Sequence, residues 1–382
     1  MPTPRTLLAL PVSLAFLCLS TAASQAGPAP DTNALVRLLV TQGKAPAAAL
    51  LAHASTGVAT APTGTDHPRA GTDDARAGTD DARAGSDYAL GTTEYTQAGT
   101  GISRADHFRA GSITKTFIAT VILQLAAEHR LSLSDTVERH LPGLVHGAGN
   151  DGRALTLRSL LTHTSGLYDF TAVTGGTVPV TPTQAVRMAV THPPADRGRF
   201  SYSNTNYVLL GLVIRQVTGD SYATEAERRI IAPLRLTGTS FPGSRTTLPS
   251  PHGRAYAADG SDVTDLDPRV AGAAGELVTT LADLDRFYSA LLGGQLLPPR
   301  RLREMLDTRT AHGSYGMGLF PVKLPCGTTV WGHNGRISGS YVRTAATVDG
   351  RHVLTFRVNT GEIADPGLEP ALLAAEFCPR TS

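Results

Sequence analysis

Apolar positions recur at helical spacing over residues 31–42, with Leu35, Leu38 and Leu39 on one side and Gly43 as the stop. The run 47–54 that follows reads as a strand. The same 3.6-residue period predicts a long helix over 113–130 and a short one carrying Leu157, Leu160 and Leu161 behind a Thr156 cap. Further helices are expected at 183–191, 206–218, 224–234, 281–292 (ended by Gly293-Gly294) and 299–306. Beyond these the period falls toward two. Segments 317–322, 328–332, 339–348 and 352–358 are β-branched or aromatic and separated by turns such as Asp349-Gly350, and 368–377 closes the chain as a helix. Short connections between the late strands imply antiparallel pairing, which excludes a doubly wound nucleotide-binding sheet. The fold class expected is mixed α/β of the α+β kind, in two lobes or one large domain.

Two stretches stand outside this pattern. The first residues carry Arg5, an apolar core over 7–19 and the small-x-small site Ser24-Gln25-Ala26 ahead of Gly27, which reads as a secretory signal peptide over 1–26, cut near Ala26. The core is too short to anchor, and no later stretch approaches the roughly 20 apolar residues a membrane helix needs. The mature protein is therefore expected to be secreted without a membrane anchor. Cys18 lacks the small neighbour of a lipid-attachment site and leaves with the signal. The second stretch is a tandem seven-residue repeat over 64–91: GTDHPRA, GTDDARA, GTDDARA and a decayed GSDYALG. With almost no large apolar residues it cannot bury a core, and its paired aspartates match no calcium-loop spacing, so it is read as a surface insertion.

Cys326 and Cys378 remain as an even pair in an oxidising compartment and are expected to form one disulfide, the alternative being two buried thiols. A formal charge of +2 and 17% charged residues leave no basic stripe, so nucleic acid is excluded as a partner. His107, His129, His140 and His146 show no metal-ligand spacing, and neither a metal nor another cofactor is expected. Of 34 basic residues only Lys44, Lys115 and Lys323 are lysines, so Lys115 stands out as a group chosen for a removable proton.

Lys115 lies three residues after Ser112 in the run FRAGSITKTF, where a helix would place both side chains on one face. A desolvated amine within hydrogen-bond reach can activate a serine hydroxyl. A second polar cluster, Ser201-Tyr202-Ser203-Asn204, precedes the helix expected near Asn206 and can offer a phenol and an amide to a shared cleft. A third, Gly332-His333-Asn334-Gly335-Arg336, falls between two expected strands, where glycines let a ligand approach the backbone.

The order SxxK, YxN, HxG resembles the serine β-lactamase and penicillin-binding protein superfamily, and within it the class C β-lactamase branch with the exported D-alanyl-D-alanine carboxypeptidases of actinomycetes. Further matches are HTSGLYDF at 163–170, YSNTNY at 202–207, AAGELVTTLADLDRF at 273–287, YGMGL at 315–319, and Cys326 with Cys378. The resemblance implies a β-lactamase/transpeptidase-like fold: an antiparallel sheet flanked by helices (about 31–110 and 270–380) against a mainly helical lobe (about 111–269). It implies Ser112 as nucleophile, Lys115 and Tyr202 as the proton-handling pair with the base undecided between them, and an oxyanion hole from the backbone N–H groups of Ser112 and Arg336. Asn204, His333, Asn334, Gly335 and Arg336 would bind substrate, a D-Ala-D-Ala-type peptide or a β-lactam, on a monomeric enzyme. His163 is expected to be structural and Asp169 to shape the cleft entrance.

The sequence also departs from those peptidases. Asn334 replaces the threonine of H-T-G, Phe320 stands where an arginine helps hold the substrate carboxylate, and a site-lining tryptophan falls at about Val270. Arg336 could supply the missing guanidinium. Three functions therefore follow from the sequence: a secreted D-alanyl-D-alanine carboxypeptidase first, then a β-lactamase or esterase on the same scaffold, then a non-catalytic binding protein, against which the intact Ser112, Lys115, Tyr202 and Asn204 argue.

Overall fold

The computed structural model describes residues 31–55 and 91–379; the expected signal segment and the repeat up to residue 90 lie outside the described residues. The main sheet has six strands: β1 Ala47–Ser55, β2 Gly91–Gly99, β3 Phe320–Lys323, β4 Thr329–Ile337, β5 Ser340–Ala346 and β6 His352–Val358. Their order is β2-β1-β6-β5-β4-β3, every neighbouring pair antiparallel. Sequential hairpins build one side, and β1 returns to pair with β6, so the N- and C-terminal parts of the chain share one sheet.

The principal helices are α1 Thr32–Thr41, α2 Thr114–Ala127, α3 Pro182–Val190, α4 Asn204–Thr218, α5 Leu281–Leu292 and α6 Leu368–Phe377. Asp31 caps α1 by accepting from Asn33 N at 3.1 Å, as helix-start chemistry requires. α1 and α6 cover one face of the sheet through Leu35, Leu39, Leu372 and Phe377, which pack with Leu50, Leu354 and Phe356. α5 and the helical part of the chain cover the other, and the central element there is α2. Phe117, Ile118, Val121, Ile122 and Leu125 are fully buried on it, each worth roughly 2 kcal/mol of apolar burial. Its polar positions are paired: Thr116 Oγ1 donates to Gly318 O at 2.6 Å, and Thr120 Oγ1 donates to Thr116 O at 2.8 Å. The buried site at the head of α2 is thus held in rigid surroundings.

The Thr156 cap forms with Ser159 N at 3.1 Å and opens the helix Leu157–Leu161. Several expected elements differ in detail. The long helix over 113–130 begins as a tight 3-10 turn, Gly111–Ile113, and α2 ends at Ala127, before His129 takes positive φ. The helix expected over 206–218 starts at Asn204, which puts Asn204 in its first turn. The helix expected over 224–234 is Tyr222–Ala226, capped by Ser221, followed by a π turn Glu227–Ile231 ahead of Pro233. The strand expected over 317–322 begins only at Phe320, because Met317 N bonds back to Met305 O at 2.9 Å. The cluster 332–336 lies inside β4, not between strands; the turn is Ser338-Gly339. The glycine signal there came from close backbone approach: a Cβ on Gly332 would meet Thr344 O at 2.0 Å, and one on Gly335 would meet Ala110 O at 1.8 Å. Cys326 and Cys378 are bonded, tying the β3–β4 turn to the end of α6.

Candidate active site

Ser112 occupies the 3-10 turn that feeds α2, and Gly111 before it has φ of +51°. Glycine is required there twice over, since a Cβ would also stand 2.7 Å from Arg336 N. The turn and strand β4 therefore meet backbone to backbone. One helical turn after Ser112, Lys115 is fully buried, with its Nζ 3.0 Å from Ser112 Oγ, 2.8 Å from Asn204 Oδ1 and 2.6 Å from Ala274 O. Burial lowers its pKa from the ordinary lysine value to about 7, with the Asp169 carboxylate pulling in the opposite direction. With two acceptors fixed at Asn204 and Ala274, a neutral amine spends both N–H groups on them. Its lone pair then faces Ser112 Oγ.

Tyr202 hydrogen-bonds Ser112, and its phenol pKa is pushed well up by burial, so the phenolate is disfavoured. Its ring stacks on His163, centroids 4.2 Å apart. His163 is buried and accepts at Nδ1 from Ser203 N at 3.2 Å and from Asn206 Nδ2 at 3.1 Å, and burial depresses its pKa well below the usual value. It is a neutral clamp for the 202–206 turn. Asn204 uses both ends of its amide: Oδ1 receives Lys115, and Nδ2 donates to Asp169 Oδ2 at 3.0 Å and to Thr171 Oγ1 at 3.2 Å. Asp169 is thereby brought to the site itself.

His333 is buried on β4, its Nδ1 donating to Asn334 O and its Nε2 accepting from Tyr315 OH at 2.8 Å. Burial, then the Lys115 charge, lowers its pKa to about 3, so it is neutral. The two-residue turn after Ile337 makes Ile337–Ser340, Gly335–Val342 and His333–Thr344 the hydrogen-bonded pairs. The backbone N–H of Arg336 consequently points away from β5, toward the strand edge that faces the Ser112 turn. Strand alternation carries the Asn334 side chain to the opposite face from His333, where it bonds Tyr341. The Arg336 side chain is exposed and paired with Glu362 at 2.8 Å. Phe320 lies against the His333 ring at 5.4 Å and under the Arg343 guanidinium at 4.5 Å. Val270 is buried in a 3-10 turn, Pro268–Val270.

Three contributors escaped the sequence reading. The Ala274 carbonyl carries no side-chain signal; Tyr315 lay unread inside YGMGL; Thr114 Oγ1, which donates to Gly111 O at 2.6 Å and accepts from Leu277 N at 3.1 Å, sat between the two residues of interest. Among the described residues no group of three or more His, Cys, Asp or Glu could hold a metal ion, and no helix is long and apolar enough to cross a membrane.

The geometry has counterparts among known proteins. A D-stereospecific amidohydrolase from Streptomyces sp. superposes with a TM-score of 0.76 at 37% identity, covering 91% of this chain and 99% of that one. The D-amino acid amidase of Ochrobactrum anthropi SV3 gives a TM-score of 0.71 at 26% identity, covering 90% and 96%. Protein flp of Staphylococcus aureus strain COL is 31% identical over 210 residues, which are 52% of this chain and 41% of that protein; the chain thus spans less than half of that relative's length. The family model described as Beta-lactamase matches residues 86–361, and the chain belongs to this β-lactamase family of serine hydrolases.

Proposed function

We propose that the protein is a serine amidohydrolase that cleaves the amide bond following a D-configured residue whose amine is free, through an acyl-enzyme on Ser112. The observation that carries this reading is the Asp169 carboxylate, half-buried and fixed to Asn204 Nδ2 at 3.0 Å. It offers a counter-ion to an ammonium on the acyl side of the scissile bond. On the leaving-group side, Phe320 stands where the resembling peptidases carry an arginine, the Arg343 guanidinium beside its ring is fully buried, His333 is neutral, and Arg336 is already engaged by Glu362. The names of the two amide-cleaving structural relatives support the choice of substrate class and of D stereochemistry.

In this mechanism neutral Lys115 takes the Ser112 proton as Oγ attacks the carbonyl carbon, and the N–H groups of Ser112 and Arg336 receive the oxyanion. Tyr202, hydrogen-bonded to Ser112, relays a proton to the leaving amine. Water then attacks the ester by the same route in reverse. Of the two candidate bases, the pKa directions favour Lys115. The free edge of β4, where the backbone groups of Asn334 and Arg336 point away from β5 between His333 and Ile337, pairs with the substrate backbone as an added strand.

The test compares kcat/KM for D-phenylalanine amide, its N-acetyl derivative and a diacetyl-Lys-D-Ala-D-Ala peptide, with Ser112→Ala as control. The reading requires N-acetylation to cost at least tenfold; equal rates on the acetylated amide would overturn it. A second reading, the D-alanyl-D-alanine carboxypeptidase, draws on the exposed Arg336–Glu362 pair, which can open to receive a carboxylate. It predicts the peptide as best substrate and its loss in Arg336→Ala. We further propose export through cleavage near Ala26, tested by sequencing the N-terminus of the secreted protein.

A further inference from the structure

One buried ionisable pair close to the site has no part in the proposed chemistry. Glu276 is 4% exposed, and its Oε1 accepts Tyr222 OH at 2.6 Å. Burying a carboxyl is unfavourable, so packing alone does not account for it; an apolar side chain of similar size would fill the same space at less cost. Burial raises its pKa to about 7, with the Tyr222 bond pulling the other way. The Tyr222 phenol is in turn held well above its ordinary value by burial and then by the Glu276 charge.

The pair stands at one end of the turn that serves Lys115. Residues 270–277 read Val-Ala-Gly-Ala-Ala-Gly-Glu-Leu, so Glu276 is the only polar side chain in the stretch. Its middle is the 3-10 turn Gly272–Ala274, closed by Gly275 N on Gly272 O at 2.9 Å and by Glu276 N on the same oxygen at 3.0 Å. Gly272 has φ of +49°, and neither it nor Gly275 has a side chain to fix the turn. Yet this turn holds Ala274 O at 2.6 Å from Lys115 Nζ.

Tyr222 is itself firmly placed. It opens the helix Tyr222–Ala226, which Ser221 caps by accepting Thr224 N at 3.0 Å, and its ring meets Phe241 edge-on with centroids 5.6 Å apart. A Cβ on Gly211 would stand 2.7 Å from Ala273 Cβ and 3.1 Å from Tyr222 Cδ1, so the bare backbone of α4 packs against both. α4 also carries Asn204, the other fixed acceptor of Lys115. Beyond Glu276, Leu277 N donates to Thr114 Oγ1 at 3.1 Å and Leu277 O accepts from Ala110 N at 2.7 Å, which ties the end of the stretch to the Ser112 turn.

We propose that Glu276 and Tyr222 are positioning residues for the general base: their hydrogen bond holds the turn over 272–276 so that Ala274 O stays on Lys115 Nζ and the amine lone pair stays on Ser112. The inference rests on Lys115 as the base and is independent of which amide the enzyme cleaves.

The experiment follows labelling of Ser112 in the full mature chain by a fluorophosphonate, between about pH 5 and 9. Oγ displaces fluoride at phosphorus as its proton passes to Lys115, so the rate reports the base without a particular substrate. Glu276→Ala should lower the maximal labelling rate roughly 10–100-fold, with the half-saturating concentration within about twofold of wild type. The midpoint of the acidic limb should fall by roughly 0.5–1 unit, because a carbonyl that favours the ammonium has been withdrawn. Tyr222→Phe keeps the ring and the carboxyl and should reproduce both effects, which decides the matter if Glu276→Ala does not fold. Glu276→Gln retains an acceptor for Tyr222 OH and should bring the rate back to within about threefold. Variants that lose thermal stability but label at the wild-type rate with the wild-type midpoint would overturn the proposal. A wild-type profile without an acidic limb would instead remove Lys115 as the base, and the inference with it.

Discussion

Lys115 Nζ donates to Asn204 Oδ1 at 2.8 Å, and the same amide turns its nitrogen to Asp169. Asn204 therefore separates a cation-forming amine from a carboxylate that would otherwise pair with it. In Asn204→Asp the new carboxylate would sit directly against Nζ, favour the ammonium and raise the Lys115 pKa. The expected result is a loss of kcat/KM of at least tenfold at pH 7, with the acidic limb of the pH profile moved up by about one unit or more. A profile whose midpoint stays in place would remove Asn204 from any role in setting the base.

For the wild-type enzyme, a base with a pKa near 7 fixes the direction of the pH dependence. kcat/KM should rise through a midpoint near pH 7 and level off above it, since the amine must be neutral to accept the Ser112 proton. Stability follows with a definite sign. The folded-state pKa of Lys115 lies below its unfolded value, so folding is penalised where the unfolded chain holds the extra proton. That penalty is full below pH 7 and fades as pH rises toward the unfolded lysine value of roughly 10.4. Lys115→Met should thus gain stability relative to wild type at pH 6, by up to about 4 kcal/mol, and lose that advantage by pH 10. Urea melts at the two pH values measure it.

Gly335 tests the backbone meeting behind the proposed oxyanion hole. A Cβ there would stand 1.8 Å from Ala110 O, so Gly335→Ala must push β4 away from the Ser112 turn. Loss of one aligned donor is worth roughly 10²–10³ in kcat, which is the fall expected in acylation rate. Gly361 offers a control, because its added Cβ would find nothing nearer than 3.6 Å. Gly361→Ala should keep activity within about twofold.

The parts of this molecule that were legible in the sequence share one property: their signal is periodic or local. α5 and α6 were bounded correctly because apolar spacing marks both and Gly293-Gly294 ends α5, and Thr156 because a cap is read from its neighbours. Ser112, Lys115, Tyr202 and Asn204 could be named because three short motifs, SxxK, YxN and HxG, stand in an order that resembles a known family, Lys115 also by the scarcity of lysine. What was missed is made by the backbone or by long-range approach. Gly332 and Gly335 read as glycines that let a ligand approach, although what comes close to them is the chain's own Thr344 O and Ala110 O. The Ala274 carbonyl has no composition to detect. Arg343 carries the only guanidinium over Phe320 among the described contacts, and its position opposite Asn334 emerges only from register.

The exposed pair of Arg336 and Glu362 governs whether a carboxylate-terminated substrate can compete with an amide. Glu362→Gln removes the charge that holds the guanidinium at 2.8 Å while keeping the shape of the side chain. An exposed pair of this kind is worth no more than about 1 kcal/mol, so the variant should fold normally. The freed Arg336 would raise kcat/KM for a D-Ala-D-Ala peptide by a few-fold, leave D-amino acid amides nearly unchanged, and make the peptide rate more sensitive to salt.

The disulfide gives the last prediction. Cys326 and Cys378 close a loop with a sequence separation of 52 residues, and the chain-entropy model assigns such a loop about 4 kcal/mol. The bond joins the β3–β4 turn to the end of α6, the helix that covers the face of the sheet opposite the Ser112 turn. Reduction, or Cys326→Ser with Cys378→Ser, should lower the melting midpoint by roughly 5–10 °C. Because Cys378 packs with the α1 and α6 face of the sheet, opposite the Ser112 turn, kcat/KM at 25 °C should stay within about twofold of wild type. A parallel loss of activity and stability would mean that α6 and β3 position the site directly, through Phe320, and not merely by holding the sheet together.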